Sequence, residues 1–346
     1  MSSPAPRKLA YIVGSARSGS TILGALLGLQ PGMFFAGEVY KLWEEGIQAG
    51  YLCSCGQSLS ECETWGPLLA GVADGEYASL ARSMAKRLAP SSKTRYLPFS
   101  LPIALAGLGR RLLALSLQEP LGILQRVYLG LAERTQSRVI VDTSKFPLYA
   151  SILAELPALE LYLIHLVRDP HAVAYSWQRT LYDPGRQRQF GRHGSFTSSF
   201  LWTTWNAAIE LMRRRNSILR QHYLPVKYED FVQDPTSALA RITQFLGEDA
   251  PRPGGLTGNQ AWLPEQHSLS GNPVRFARGP VDIRSDDEWR TGLSAASRVV
   301  VALTTWPLLA HYGYGTRLRK PSGVASIVEQ DLKSGHVQEG MRETGD

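Results

Sequence analysis

Residues 9–21, LAYIVGSARSGST, decide how this chain reads. A short apolar run rich in β-formers, Leu9 to Val13, is cut by Gly14, and after a loop of small residues an apolar-periodic segment runs from Thr21 to Leu29. The pattern predicts strand, tight loop, helix. Gly14 and Gly19 permit positive φ and close backbone approach. Ser18, Ser20 and Thr21 supply hydroxyls, and the helix turns its free N–H groups into the loop. The ligand such a loop suits is a phosphate or another tetrahedral oxyanion. The spacing follows GxxxxGK[ST], with Gly14, Gly19 and Thr21 in register, but Ser20 stands in the lysine's place and Arg17 is the loop's cation. An NTPase needs that lysine on the transferred phosphoryl group, so the loop argues against ATP chemistry. It leaves a different anion open, alongside a plain glycine-bearing turn of an α/β protein.

Outward from this stretch, 346 residues allow a large core, and 44% hydrophobic content is that of a globular protein. With 37 Lys+Arg against 30 Asp+Glu the net charge is +7, which suits an anionic ligand or a membrane surface as well as an ordinary solvated surface. No stripe of interleaved aromatic and basic residues indicates a nucleic-acid partner. MSSPAPRK leads directly into the first strand with no signal-peptide pattern, so a cytoplasmic protein is expected. Leu97 to Leu117 is apolar but carries Pro98, Pro102, Arg110 and Arg111, which fits a lid or an interfacial helix with peripheral membrane contact better than a span. The expected organisation is a flexible N-terminus over 1–8, one domain over 9–315 with a helical and loop insertion at about 50–132, and a disordered tail over 316–346. Oligomeric state is not indicated.

Further candidates follow along the chain. Met33 to Ala36 reads as a second strand, placing Glu38 just past its carboxyl end, where parallel sheets bind ligands; a first-turn acid of a helix over 39–49 is the other reading. Cys53, Cys55 and Cys62 offer three soft ligands with no histidine nearby in sequence. A disulfide or buried thiols therefore stand ahead of a metal, and no metal is expected. A strand ending at Val141 closes on Asp142-Thr143-Ser144-Lys145, where Asp142 could mimic a magnesium ligand, Lys145 could reach an oxyanion, and the cluster could equally be a helix cap. Leu159 to Val167 is a continuously apolar strand of the kind buried on both faces of a parallel sheet. It ends at Arg168, with Ser176 eight residues on, able to share one anion if the helix crosses the strand end. Asp183 to Ser199 is a basic loop expected to be mobile, Ser198 to His222 a long helix, and Tyr223 to Tyr228 a last strand. HSLSGNPVRFARG, from His267, is a loop dense in donors, and Ser294 to His311 is a final helix.

Together these motifs resemble the sulfotransferases that use 3′-phosphoadenosine 5′-phosphosulfate (PAPS), chiefly the bacterial, carbohydrate-type and tyrosylprotein-type branches. GSARSGST is similar to that family's 5′-phosphosulfate loop in its arginine form. LIHLVRDPHAVAYSW is similar to its 3′-phosphate motif, with Arg168 and Ser176 as the phosphate ligands. KYED followed by DP resembles its adenine-side strand, placing Tyr228 near the base. FFAGE and DTSKFPLY are similar to segments of the tyrosylprotein branch, which implies Glu38 as base and Lys145 beside the sulfuryl group. RFARG…W resembles the segment that closes over the 3′-phosphate, with Arg278 and Gly279 as equivalents. The cytosolic branch's loop lysine and catalytic-histidine motif are missing, so His267 rivals Glu38 as base.

The resemblance implies one α/β domain with a P-loop-like central parallel sheet flanked by helices, and metal-independent in-line transfer to an acceptor hydroxyl. Adenosine 3′,5′-bisphosphate is the implied product, and a glycan, a lipid-linked acceptor or a phenolic small molecule the acceptor. The competing readings are a kinase or NTPase with a degenerate P-loop and Asp142 on magnesium, and a nucleotide-binding pseudoenzyme.

Overall fold

Period-two alternation in β1 (Arg7–Val13) sends Leu9, Tyr11 and Val13 into one core and Ala10 and Ile12 into another, so the strand is buried on both faces. The computed structural model describes residues 6–73, 76–93, 115–189, 191–249 and 255–314. The expected tail over 316–346 and most of Leu97 to Leu117 lie outside the described residues.

After β1 come α1 (Ser20–Gly28), β2 (Met33–Gly37), α2 (Trp65–Ala73), α3 (Tyr77–Ser92) and α4 (Gln118–Arg134). The middle of the chain forms β3 (Val139–Lys145), α5 (Pro147–Leu153), β4 (Leu159–Val167), α6 (Pro170–Gln178), the short pair β5 (Tyr182–Asp183) and β6 (Arg188–Gln189), and α7 (Ser195–Arg215). Then follow α8 (Ser217–Gln221), β7 (Tyr223–Lys227), α9 (Tyr228–Gln233), α10 (Pro235–Phe245), β8 (Leu256–Thr257), β9 (Gln260–Leu263), β10 (Gly279–Asp282), α11 (Trp289–Gly292) and α12 (Ala295–His311).

Five parallel strands form the central sheet in the order β2-β3-β1-β4-β7. Helices α2, α3 and α4 contribute Leu68, Val72, Met84, Leu88, Val127 and Leu131 to the core that β1 faces with Leu9 and Tyr11. The stretch read as an insertion therefore supplies a cover of one sheet face. On the opposite face α1 and α10 pack Leu23, Leu26, Leu239 and Ile242 against Ala10, Ile12 and Ile164. This is the α/β architecture the sequence predicts.

Three local expectations change. The helix expected over 39–49 is a 3-10 turn, Val39–Lys41, followed by a π-helix, Leu42–Gln48. Leu59 packs so closely on Gly46 that a side chain there would overlap it. The long helix expected to reach His222 breaks at Asn216, whose Oδ1 accepts from Leu219 N at 3.4 Å and starts α8. The stretch from Leu256 to Asp282, read as loop, contains a three-stranded antiparallel sheet. Among the described residues no helix is long and apolar enough to cross a membrane.

Candidate functional site

The sheet's carboxyl edge gathers four segments distant in sequence. β1 leaves the sheet into the loop before α1, with β3 on one side and β4 on the other, so the loop lies where chain connections diverge. Gly14, at φ +152°, lies against the Leu166 carbonyl, and Gly19, at φ +89°, against the Tyr228 ring; a Cβ at either position would overlap its neighbour. Arg17 also takes a left-handed φ of 66°, an uncommon conformation for a residue with a side chain. The N-cap of α1 is Gly19, with no side-chain cap and no acid in the first turn, which leaves that helix end suited to an anion. Ser15 Oγ and Ser18 Oγ are buried without a hydrogen-bond partner among the described residues. Buried hydroxyls without partners beside a helix N-terminus fit a ligand rich in acceptor oxygens.

Arginines surround this loop. Burial, then the proximity of Arg168, Arg179 and Arg186, pulls the Arg17 guanidinium down to about 10. A bound anion would relieve the part of this that comes from the neighbouring guanidiniums. Arg17 lies over the Trp177 ring at 4.9 Å. Arg168, buried at the end of β4, donates to the Arg17 carbonyl at 2.8 Å and stacks on the Tyr228 ring at 4.5 Å. The loop, the end of β4 and the residue that follows β7 thus meet around one guanidinium. Asp286 Oδ2 accepts from Arg168 at 2.8 Å and from Arg179 at 2.6 Å, holding both side chains. Nε of each arginine is buried without a partner.

On the β3 side, Glu38 is 6% exposed and paired with Lys145 Nζ and, at 2.9 Å, with Lys41 Nζ. Burial pushes the Glu38 carboxyl up, but the two ammoniums outweigh it and hold the group at about 2. Lys145, bulged at the end of β3 with φ 72°, is left below the ordinary lysine value because burial outweighs its carboxylate partner. Asp142 points inward: Oδ1 accepts from Ser144 N at 2.6 Å and from its hydroxyl, and Oδ2 from the Tyr128 hydroxyl. With both oxygens engaged, it shapes the strand end and does not serve as the magnesium ligand of the kinase reading.

The C-terminal segment closes this side. Glu38 N donates to the Leu269 carbonyl at 2.6 Å and Asn272 N to Thr21 Oγ1 at 3.2 Å, so residues 269–272 lie between β2 and the start of α1. Ser270 Oγ donates to Glu45 at 2.8 Å. Ser20 is buried in the first turn of α1, and Ser176 is half-buried on α6.

Three candidates are not brought to the loop. His267 turns Nδ1 to Cys62 at 3.3 Å and Nε2 to Glu63 at 3.1 Å, away from its expected place as rival base. Arg278 donates to Glu265 at 2.6 Å and to the Cys55 carbonyl at 3.3 Å, and Gly279 begins β10. The part of that stretch that does reach Arg168 is Asp286, with Trp289 stacked on His171 at 4.9 Å. Sequence reasoning missed Arg179 and Asp286, which stand in no recognisable motif. It also took Arg186 as part of a mobile loop, whereas Arg186 sits in the β5-β6 turn, paired with Asp183 at 3.1 Å and Glu45 at 2.6 Å.

This is an α/β protein with a cluster of arginines around the loop at the sheet's carboxyl edge. A family model described as "Sulfotransferase family" matches residues 116–252. Carbohydrate sulfotransferase 1 of Mus musculus is 29% identical over 232 residues, covering 61% of this chain and 54% of that protein. Carbohydrate sulfotransferase 2 of Homo sapiens is 25% identical over 303 residues, covering 70% and 53%. The chain thus spans about half the length of the curated relatives it matches. The solved sulfotransferase domain of the Synechococcus PCC 7002 olefin synthase shares the fold, at a TM-score of 0.50 and 21% identity, over 92% of this chain and 98% of that one. Over these stretches the chain is similar to sulfotransferases.

Proposed function

We propose that this protein transfers the sulfuryl group of PAPS to a hydroxyl of a glycan, by in-line displacement that requires no magnesium. The observation that carries the reading is the convergence on Arg168: its guanidinium joins the Arg17 carbonyl to the Tyr228 ring, and that ring abuts Gly19. Such a junction suits a ligand that carries two anionic groups on one sugar and a base beside them, which is the make-up of a 3′,5′-bisphosphorylated adenosine. The relatives' names supply the sugar acceptor.

Gly14, Arg17, Ser18, Gly19, Ser20 and Thr21 would hold the 5′ side, Arg168 and Ser176 the 3′-phosphate, and Tyr228 the base. The unpartnered Ser15 and Ser18 hydroxyls and the crowded guanidiniums are the features that fit such a group. When bound, PAPS supplies an activated sulfuryl group with a good leaving phosphate. Arg17 and the loop donors would stabilise the charge that develops on the leaving side. Lys145 Nζ would serve the sulfuryl oxygens, and Glu38, with that partner drawn away, would take the proton of the acceptor hydroxyl.

Calorimetry with paired nucleotides tests the anion assignment. Arg168→Ala should weaken adenosine 3′,5′-bisphosphate by about 1.5–3 kcal/mol, roughly ten- to a hundredfold, and leave AMP unchanged. Equal weakening of both would remove Arg168 from the 3′-phosphate.

A further inference from the structure

We propose that Cys53, Cys55, Cys62 and His267 form a structural zinc site, assembled by the fold from segments 205 residues apart. The proposal is independent of the reaction assigned above. The four ligand atoms all lie within 4.8 Å of one another. Cys62 Sγ is 3.6 Å from Cys53 Sγ and 3.3 Å from His267 Nδ1. Ligands at zinc–sulfur and zinc–nitrogen bond lengths, arranged as a tetrahedron, stand about 3.4–3.8 Å apart. Cys53 and Cys62 are fully buried, Cys55 is half-buried, and none of the three is in a disulfide.

The surroundings hold these groups in place. Cys53 N donates to the Gln57 carbonyl at 2.9 Å and Gly56 N to the Cys53 carbonyl at 2.9 Å, a tight turn that Gly56 completes at φ +90°. Across from it, Ser54 Oγ donates to the Gln266 carbonyl at 2.6 Å and accepts from Ser268 N at 2.7 Å, and Trp65 Nε1 donates to the His267 carbonyl at 2.7 Å. His267 is therefore fixed from both neighbours and from its own backbone. Its Nε2 meets Glu63 at 3.1 Å, so an outer N–H donated to that carboxylate leaves the Nδ1 lone pair facing the sulfurs. Three thiolates and an imidazole in a closed tetrahedral set select zinc in a structural role, and binding releases the thiol protons to solvent. The site clamps 266–269 to the turn at Cys53, and Leu269 in turn pairs with Gly37, next to Glu38.

The test is metal content and coordination in the full chain, purified without a polyhistidine tag and dialysed against metal-free buffer. The expected result is one zinc per chain by mass spectrometry, with three sulfurs and one nitrogen in the zinc absorption edge. Thiols should stay unreactive until a chelator is added, and zinc should fall at least tenfold in Cys62→Ser and in His267→Asn. The absorption edge of the unmodified protein decides the matter even if those variants fail to fold. The proposal is overturned by a metal-free chain that takes up no added zinc, by a Cys53–Cys62 disulfide seen as a chain two hydrogens lighter, by another metal in its place, or by zinc that the variants retain.

Discussion

At the scale of single residues, positions tolerated in no ordinary loop mark the site. Gly19 combines φ +89° with direct contact on the Tyr228 ring, so Gly19→Ala must displace the ring that supports Arg168. We expect it to weaken adenosine 3′,5′-bisphosphate at least tenfold, with Tyr228→Ala adding little on top of it, because the two act through one contact. Full additivity in that cycle would contradict the contact's role. Glu38 and Lys145 make a second prediction. With the Glu38 carboxyl held at about 2, kcat/KM should show no acid limb from that group near neutral pH. Lys145 acts as a cation and its pKa lies below the ordinary lysine value, so kcat/KM should fall as pH rises, at a pH below that of a free lysine. Lys145→Arg should move this limb to higher pH; an unmoved limb assigns it elsewhere. Glu38→Gln should retain nucleotide binding and lower kcat by about 10²–10⁴-fold.

At the scale of elements, what the sequence shows depends on how locally the physics is encoded. β1, β3 and β4 each carry a largely apolar core that ends in glycine or charge, so strand identity, parallel pairing and the ligand-bearing edge can be read directly. β8 and β9 are two and four residues long and bury little apolar area of their own, so no periodicity announces them. The π-helix over Leu42–Gln48, where Leu59 packs on Gly46, leaves no mark in composition or periodicity. The contact of His267 with Cys62 spans 205 residues of sequence, so no local motif joins them. Arg179 and Asp286 were missed because an arginine at a helix end and an aspartate in a loop are unremarkable until the fold joins them.

His165, inside β4, shows how one element sets pH tolerance. Nε2 meets Asn206 Oδ1 at 2.8 Å and Nδ1 the Tyr223 hydroxyl at 2.7 Å, with the ring wholly buried. Burial pulls its pKa down to about 4, outweighing the Asn206 contact. Because the unfolded chain binds this proton more readily, stability declines as pH falls from about 6.5 towards 4, by on the order of 3 kcal/mol. Thermal unfolding between pH 7 and 4 checks this: His165→Gln should flatten the decline, and an unchanged slope would place the loss in other groups.

At the scale of the whole molecule, the central sheet aligns strand ends whose loops come from across the chain, and residues 266–289 bind them together. Leu269 pairs with Gly37, Asn272 N reaches Thr21, and Asp286 holds Arg168 and Arg179. The same stretch supplies His267 to the cysteines, so the proposed zinc site and the proposed anion site share one strap. Sulfuryl transfer is decided by following radiolabelled sulfuryl from PAPS into a panel of oligosaccharides with no added magnesium. Label is expected on a sugar hydroxyl, with an equal yield of adenosine 3′,5′-bisphosphate and loss of both in Arg17→Ala. Label released only to water, or magnesium-dependent transfer of phosphate from ATP in its place, would contradict it.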